Sequence, residues 1–139
     1  MDTQTKVWGT TKELVDSPFY SRHELQIVEG SYCSLHYHID RANRFIIASG
    51  EIEIIEFYGP LIKRIRLGPQ NVYDVPSLIP HLFAVHRSGT IYEEYYPDRG
   101  GTVRRDDIVR LVEGGKCNIT ELHKLPALLL TLYRENNES

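Results

Sequence analysis

Short runs of alternating or continuous apolar residues, each closed by a turn signal, fill most of the chain. His23 to Glu29 reads as a strand ending at Gly30, and Cys33 to His38 as another. Arg44 to Ala48 is apolar, and Ser49-Gly50 turns the chain into Glu51 to Phe57, where Glu and Ile alternate in part. Tyr58-Gly59-Pro60 is a turn, after which Leu61 to Leu67 sets Leu61, Ile62, Ile65 and Leu67 against Lys63, Arg64 and Arg66. Val72 to Val75 stops at Pro76. His81 to His86 and Thr90 to Tyr96 flank Arg87-Ser88-Gly89, which reads as a hairpin loop. Strands this short and evenly spaced predict an all-β barrel or sandwich. Helical signal is confined to the end, where Thr120, Glu121, Leu122, Leu125 and the run Ala127 to Tyr133 surround Pro126. The expected organisation is a β-barrel domain over residues 1–115. A helical tail over 116–139 is expected to pack on the barrel or on a partner subunit.

Composition narrows the partners. The chain has 139 residues, the size of one domain, and can bury a core without staples. A formal net charge of −3 leaves no basic field for nucleic acid or an anionic membrane. The apolar run Leu125 to Tyr133 is too short to span a bilayer. The polar stretch Met1 to Lys6 does not read as a signal peptide, so a cytoplasmic location is expected. Cys33 and Cys117 lack CxxC spacing and read as two free thiols.

The candidate chemistry centres on His36-Tyr37-His38. Residues two apart on a strand share a face, so both imidazoles project into one space while Tyr37 points away. His81 opens a distant strand. Three neutral imidazoles on neighbouring barrel strands occupy three positions around a divalent ion and leave others open.

Gly30, five residues, His36, one, His38, four, Asn43, six, Gly50 reproduces the first cupin motif in spacing, with Asn43 where that motif has Glu. Gly68, Pro76 and His81 preserve part of the second motif, with Leu78 at its usual glycine and Val85 at its usual asparagine. The stretch from Val7 to Arg110 resembles one branch in particular, the C-terminal isomerase domain of type II phosphomannose isomerases. Val7-Trp8-Gly9 resembles that family's Pro-Trp-Gly opening. Ser34-Leu35-His36-Tyr37-His38-Ile39-Asp40-Arg41-Ala42-Asn43 resembles its Ser-Leu-Gln-x-His-x-x-Arg-Ala-Glu segment. Asp106-Asp107-Ile108-Val109-Arg110 matches its Asp-Asp-Ile-Val-Arg segment throughout. His23 stands at a family lysine, and the family's Asp-x-Tyr-Gly-Arg close is replaced by Leu111-Val112-Glu113-Gly114-Gly115.

The resemblance implies a small cupin, a double-stranded β-helix or jelly-roll barrel, with a short C-terminal helix. It implies one divalent metal ion (Zn, Mn, Fe, Ni or Co) on His36, His38, His81 and Asn43. It also implies a sugar or sugar-phosphate pocket and aldose–ketose isomerisation through a cis-enediol. Glu94 is the first expected base and His23 the second, with Arg110, Tyr92 and Tyr96 as expected substrate contacts. Only one of Glu93 and Glu94 can face the barrel interior. Two other functions fit the same residues: a non-catalytic sugar or small-molecule binder, and an iron-dependent oxygenase. Cupins often cover exposed strand edges with a second subunit, so a homodimer is expected.

Overall fold

The computed structural model describes residues 2–137. The described residues form thirteen strands: β1 (Thr3–Lys6), β2 (Gly9–Ser17), β3 (Tyr20–Ile27), β4 (Ser31–Tyr32), β5 (Leu35–Tyr37), β6 (Arg41–Ile47), β7 (Glu51–Tyr58), β8 (Leu61–Leu67), β9 (Val72–Val75), β10 (His81–Arg87), β11 (Gly89–Pro97), β12 (Val109–Val112) and β13 (Gly115–Lys116). A 3-10 turn, Ile119–Lys124, leads into helix α1 (Leu125–Asn137). Pro126 stands in the first turn of α1, where its missing N–H costs nothing.

One six-stranded antiparallel sheet runs β1-β2-β3-β11-β6-β9. The second runs β12-β5-β10-β4-β13, with β7 paired to β10 and β8 to β7. The fold is therefore the all-β jelly-roll barrel expected from the strand pattern, with one short C-terminal helix. Period-two alternation directs Leu25, Ile27, Phe45, Ile47 and Ile91 of the first sheet inward. They meet Ile52, Ile54, Phe83 and Val85 of the second in one buried cluster. Phe45 and Phe83 touch edge to face across the two sheets, with ring centroids 6.0 Å apart.

Several elements differ from the sequence expectation, each for a physical reason. Arg87-Ser88-Gly89 is not a hairpin loop: β10 and β11 lie in different sheets, and the chain crosses between them at Ser88. Of the expected strand Cys33 to His38 only Leu35–Tyr37 is strand, as β5; Cys33-Ser34 separates it from β4, and both β4 and β5 pair with β10. β7 is buried on both faces despite its partial alternation of Glu and Ile, because Ile55 and its partner Leu82 point outward and are fully covered. The 3-10 turn and α1 place Leu122, Leu125 and Leu129 in the same core cluster, so the tail packs on its own barrel. β1 and β2 carry little apolar signal. Pairing holds them onto β3, and Trp8 between them packs edge-on against Phe83 at 5.2 Å.

Gly30 and Gly50, the two ends of the histidine frame, adopt φ of 78° and 84°, and a Cβ on Gly50 would meet the Arg87 carbonyl at 2.7 Å. Leu78, at the position where the second motif has glycine, keeps the glycine conformation with φ of 69°. Both cysteines are free thiols. No helix among the described residues is long and apolar enough to cross a membrane.

Candidate metal centre

His36 on β5 and His81 on β10 are direct cross-strand partners, so their side chains leave the sheet on the same inner face. His38 follows β5 on that face, two residues on from His36. The rings converge, with centroids 4.9 Å (His36–His38), 4.7 Å (His36–His81) and 5.5 Å (His38–His81) apart. One ring nitrogen from each lies within 4.8 Å of the other two, and all three residues are buried.

Each ring is oriented by a backbone carbonyl on its far nitrogen. Nδ1 of His36 donates to the Ser34 carbonyl at 2.7 Å, that of His38 to the Asp107 carbonyl at 2.7 Å, and that of His81 to the Ile79 carbonyl at 2.9 Å. These bonds select the tautomer with a free lone pair on Nε2. The Nε2 atoms of His36 and His38 are buried without a hydrogen-bond partner. Asn43 Oδ1, from β6 in the opposite sheet, lies 3.3 Å from His81 Nε2, and its Nδ2 donates to the Glu94 carbonyl at 3.4 Å. Two acceptors thus face each other, which a cation between them satisfies.

Electrostatics keeps the rings neutral. Burial, then the neighbouring imidazoles, pushes His36 well below the usual histidine range. Burial, then His81 and Arg41, lowers His38 to about 3. Burial lowers His81 to about 4, and Arg41 adds to the shift. Neutral imidazoles with buried free lone pairs suit a borderline transition metal. The structure thus brings His36, His38, His81 and Asn43 together.

Asp107 anchors this centre. It is buried, and its carboxylate accepts from the backbone N–H of Ile39 (2.7 Å) and Asp40 (2.9 Å), fastening the segment behind His38 while its carbonyl orients that ring. Its signal in the sequence is the Asp106-Asp107-Ile108-Val109-Arg110 segment, whose expected site residue is Arg110.

A cavity of about 730 Å³ opens onto His36, walled by His23, Glu93 and Tyr95 and by Arg41 and Arg110. His23 and Glu93 are direct partners on β3 and β11. Burial raises the Glu93 carboxyl, against the opposing pull of His23, the Tyr95 hydroxyl, Arg41 and the Asn43 amide. Arg110 is Cα partner to His36 on β12, and its exposed side chain stands at the cavity rim.

Three expected site residues lie elsewhere. Glu94 has the opposite phase to Glu93 and points out of the barrel, where it binds the Tyr20 hydroxyl and Arg22 Nη1 (2.9 Å), with Arg44 Nη1 at 3.9 Å. Tyr92 and Tyr96 share its phase. The Tyr92 hydroxyl donates to Glu24 at 3.4 Å and that of Tyr96 to Asp74 at 2.9 Å. The placement of all three is corrected by one strand parity: Ile91, Glu93 and Tyr95 are the inward set. Glu93, Tyr95 and Arg41 line the cavity beyond the site residues expected from the sequence. The phase of β11 could have been read from Ile91, the aliphatic residue at the core end of that strand.

Neither a protein-family model nor a curated protein matches the sequence. Solved structures do resemble the fold. Bacillus subtilis oxalate decarboxylase at pH 4.6 aligns with a TM-score of 0.66 and 15% identity over 79% of this chain and 30% of that one. The Lactobacillus farciminis oxalate decarboxylase formate complex gives 0.65 and 14%, over 79% of this chain and 33% of that one. KdgF from Halomonas sp. gives 0.61 and 19%, over 77% of this chain and 90% of that one. The chain spans about a third of the length of the oxalate decarboxylases and most of the length of KdgF. With two antiparallel sheets closed around an inward histidine cluster, and with these neighbours, the chain has the fold of the cupin superfamily.

Proposed function

We propose that this chain is a metal-binding cupin that holds one divalent ion on His36, His38 and His81, with Asn43 as a neutral oxygen donor, and acts on a small polar ligand of the sugar class. The observation that carries this reading is the pair of buried Nε2 atoms on His36 and His38, unpartnered and converging with His81. A buried polar atom left without a partner costs about 1–3 kcal/mol, and metal ligation removes that cost.

The finer reading is aldose–ketose isomerisation through a cis-enediol. A bound ion supplies Lewis-acid polarisation of substrate oxygens. The chain's own residues supply the rest. Glu93 takes the place expected of Glu94 as the proton acceptor, because it faces the cavity and burial raises its carboxyl toward the working range. His23, its cross-strand partner, is placed to exchange protons with it. Arg110 at the rim is placed to hold a phosphate or a remote substrate oxygen by its guanidinium fork. A binding role without turnover is favoured by one observation: Asn43 gives the centre no anionic ligand.

Elemental analysis of protein purified without chelators tests the metal. One equivalent per chain is expected, and its loss in His38→Ala. Protein that carries no metal, and binds none when Mn, Fe, Co, Ni or Zn is added, sinks the reading. Turnover of aldoses and aldose phosphates then separates isomerase from binder. A homodimer in the cytoplasm completes the proposal, and light scattering tests the dimer.

A further inference from the structure

We propose that the cavity selects an organic anion of the 2-hydroxy or 2-oxo carboxylate type, such as an aldonate, with its carboxylate seated between the metal centre and the Arg41 guanidinium. The inference rests on the reading of the histidine cluster as a metal centre and not on the isomerase step, since an aldonate has no aldehyde to isomerise; it names the ligand class for the binding role.

Two independent observations carry it. The first is the donor set. Three neutral imidazoles and the amide oxygen of Asn43 surround the centre, so no ligand that the protein supplies directly offsets the two positive charges of a divalent ion. In a buried site that charge is offset by whatever fills the open positions.

The second is Arg41. It is 6% exposed, its Cζ lies 3.7 Å over the Tyr95 ring, and its Nε lies 3.3 Å from His38 Nδ1. Its Nη1 donates to the Arg104 carbonyl at 3.0 Å. Arg41 forms no salt bridge among the described residues. Glu13 and Asp16, acids on the same cavity, are taken by Arg105, and the carboxyl groups of Glu93 and Asp107 act on Arg41 from beyond ion-pair distance. A buried guanidinium without a carboxylate in direct contact is expensive unless a ligand brings one.

Arg41 and His36 line the same cavity, so one ligand reaches both. A planar carboxylate matches the guanidinium fork with two parallel hydrogen bonds. An adjacent hydroxyl or carbonyl oxygen lets the same group chelate a divalent ion. A neutral polyol offers the chelate without the charge, and inorganic phosphate the charge without the adjacent hydroxyl.

The experiment uses the full chain purified without chelators, its metal content measured first, and titrates D-gluconate, sorbitol and inorganic phosphate by calorimetry and thermal shift. Gluconate is expected to bind at least about ten-fold more tightly than sorbitol or phosphate, since hydrogen bonds between charged groups are the strong ones. Arg41→Gln is expected to lose about ten-fold of the gluconate affinity, with sorbitol unchanged and metal retained. Asn43→Asp, which supplies the missing negative charge from the protein, is expected to reduce the gluconate preference without weakening metal binding. It reports on the charge argument even if Arg41→Gln does not fold. Gluconate and sorbitol binding alike, or phosphate equalling gluconate, would overturn the ligand class while leaving the metal reading intact. A protein without metal would overturn both.

Discussion

His36 and His81 stand directly opposite each other on adjacent antiparallel strands, with their ring centroids 4.7 Å apart. Two protonated imidazoles do not share such a space in a dry interior, so the pair, with His38, is folded only as neutral rings. This has a direct consequence for stability.

In the unfolded chain these histidines titrate near the ordinary value of 6.5, whereas in the fold His81 is lowered to about 4 and His38 to about 3. Between those values the unfolded state binds more protons than the native state, so stability rises with pH there. The metal-free protein is expected to be at full histidine-dependent stability above about pH 6.5, and to lose it progressively toward pH 4 and then 3. Thermal melts of chelator-treated protein across this range check it. A melting temperature that is flat from pH 7 to 4 in the wild type, or that falls equally in His38→Phe, contradicts it.

Asp107 touches the centre only through His38 and the segment after it. Asp107→Ala is expected to weaken metal binding by about 10–100-fold, the usual effect of removing an outer support from a metal ligand. Competition with a chelator of known affinity measures this. Asp106 is exposed, and Asp106→Ala is the control, with metal affinity unchanged.

Leu78 holds a left-handed φ of 69° with an exposed side chain, while its N–H donates to the His38 carbonyl at 2.6 Å. Leu78→Gly is expected to stabilise the protein by about 0.5–1 kcal/mol, because relief of the left-handed strain exceeds the extra backbone entropy of glycine. Denaturant unfolding checks the sign, which reverses if the Leu78 side chain contributes more packing than its exposure indicates.

Glu93 and Glu94 adjoin in sequence and face opposite sides of one sheet. Glu93→Gln is expected to lower turnover by about 10²–10⁴-fold if the protein is an isomerase. Glu94→Gln is expected to leave ligand binding and turnover unchanged, and to cost about 1 kcal/mol of stability through its contacts with Tyr20 and Arg22. Parallel kinetics and denaturant melts on the two variants distinguish the faces.

What the sequence determined by itself was local and periodic. Alternation and turn residues placed most strands between His23 and Tyr96. The spacing of Gly30, His36, His38 and Gly50 put two imidazoles on one face, because side-chain direction repeats every two residues along a strand. The terminal helix was visible from its apolar run beside Pro126. Tertiary structure alone decided the rest. That His81 faces His36 is a matter of strand pairing between distant segments, and pairing leaves no local pattern. The inward parity of β11, which selects Glu93 over Glu94, is likewise set by registry with β3 and β6, because a shift of one residue exchanges the faces. β1 and β2 were illegible because their residues are mostly polar and their place comes from hydrogen bonds to β3. Whether Arg41 is a buried charge or a surface one depended on what lay opposite it. Tyr95 and the loop at Arg104 supplied that cover from far along the chain.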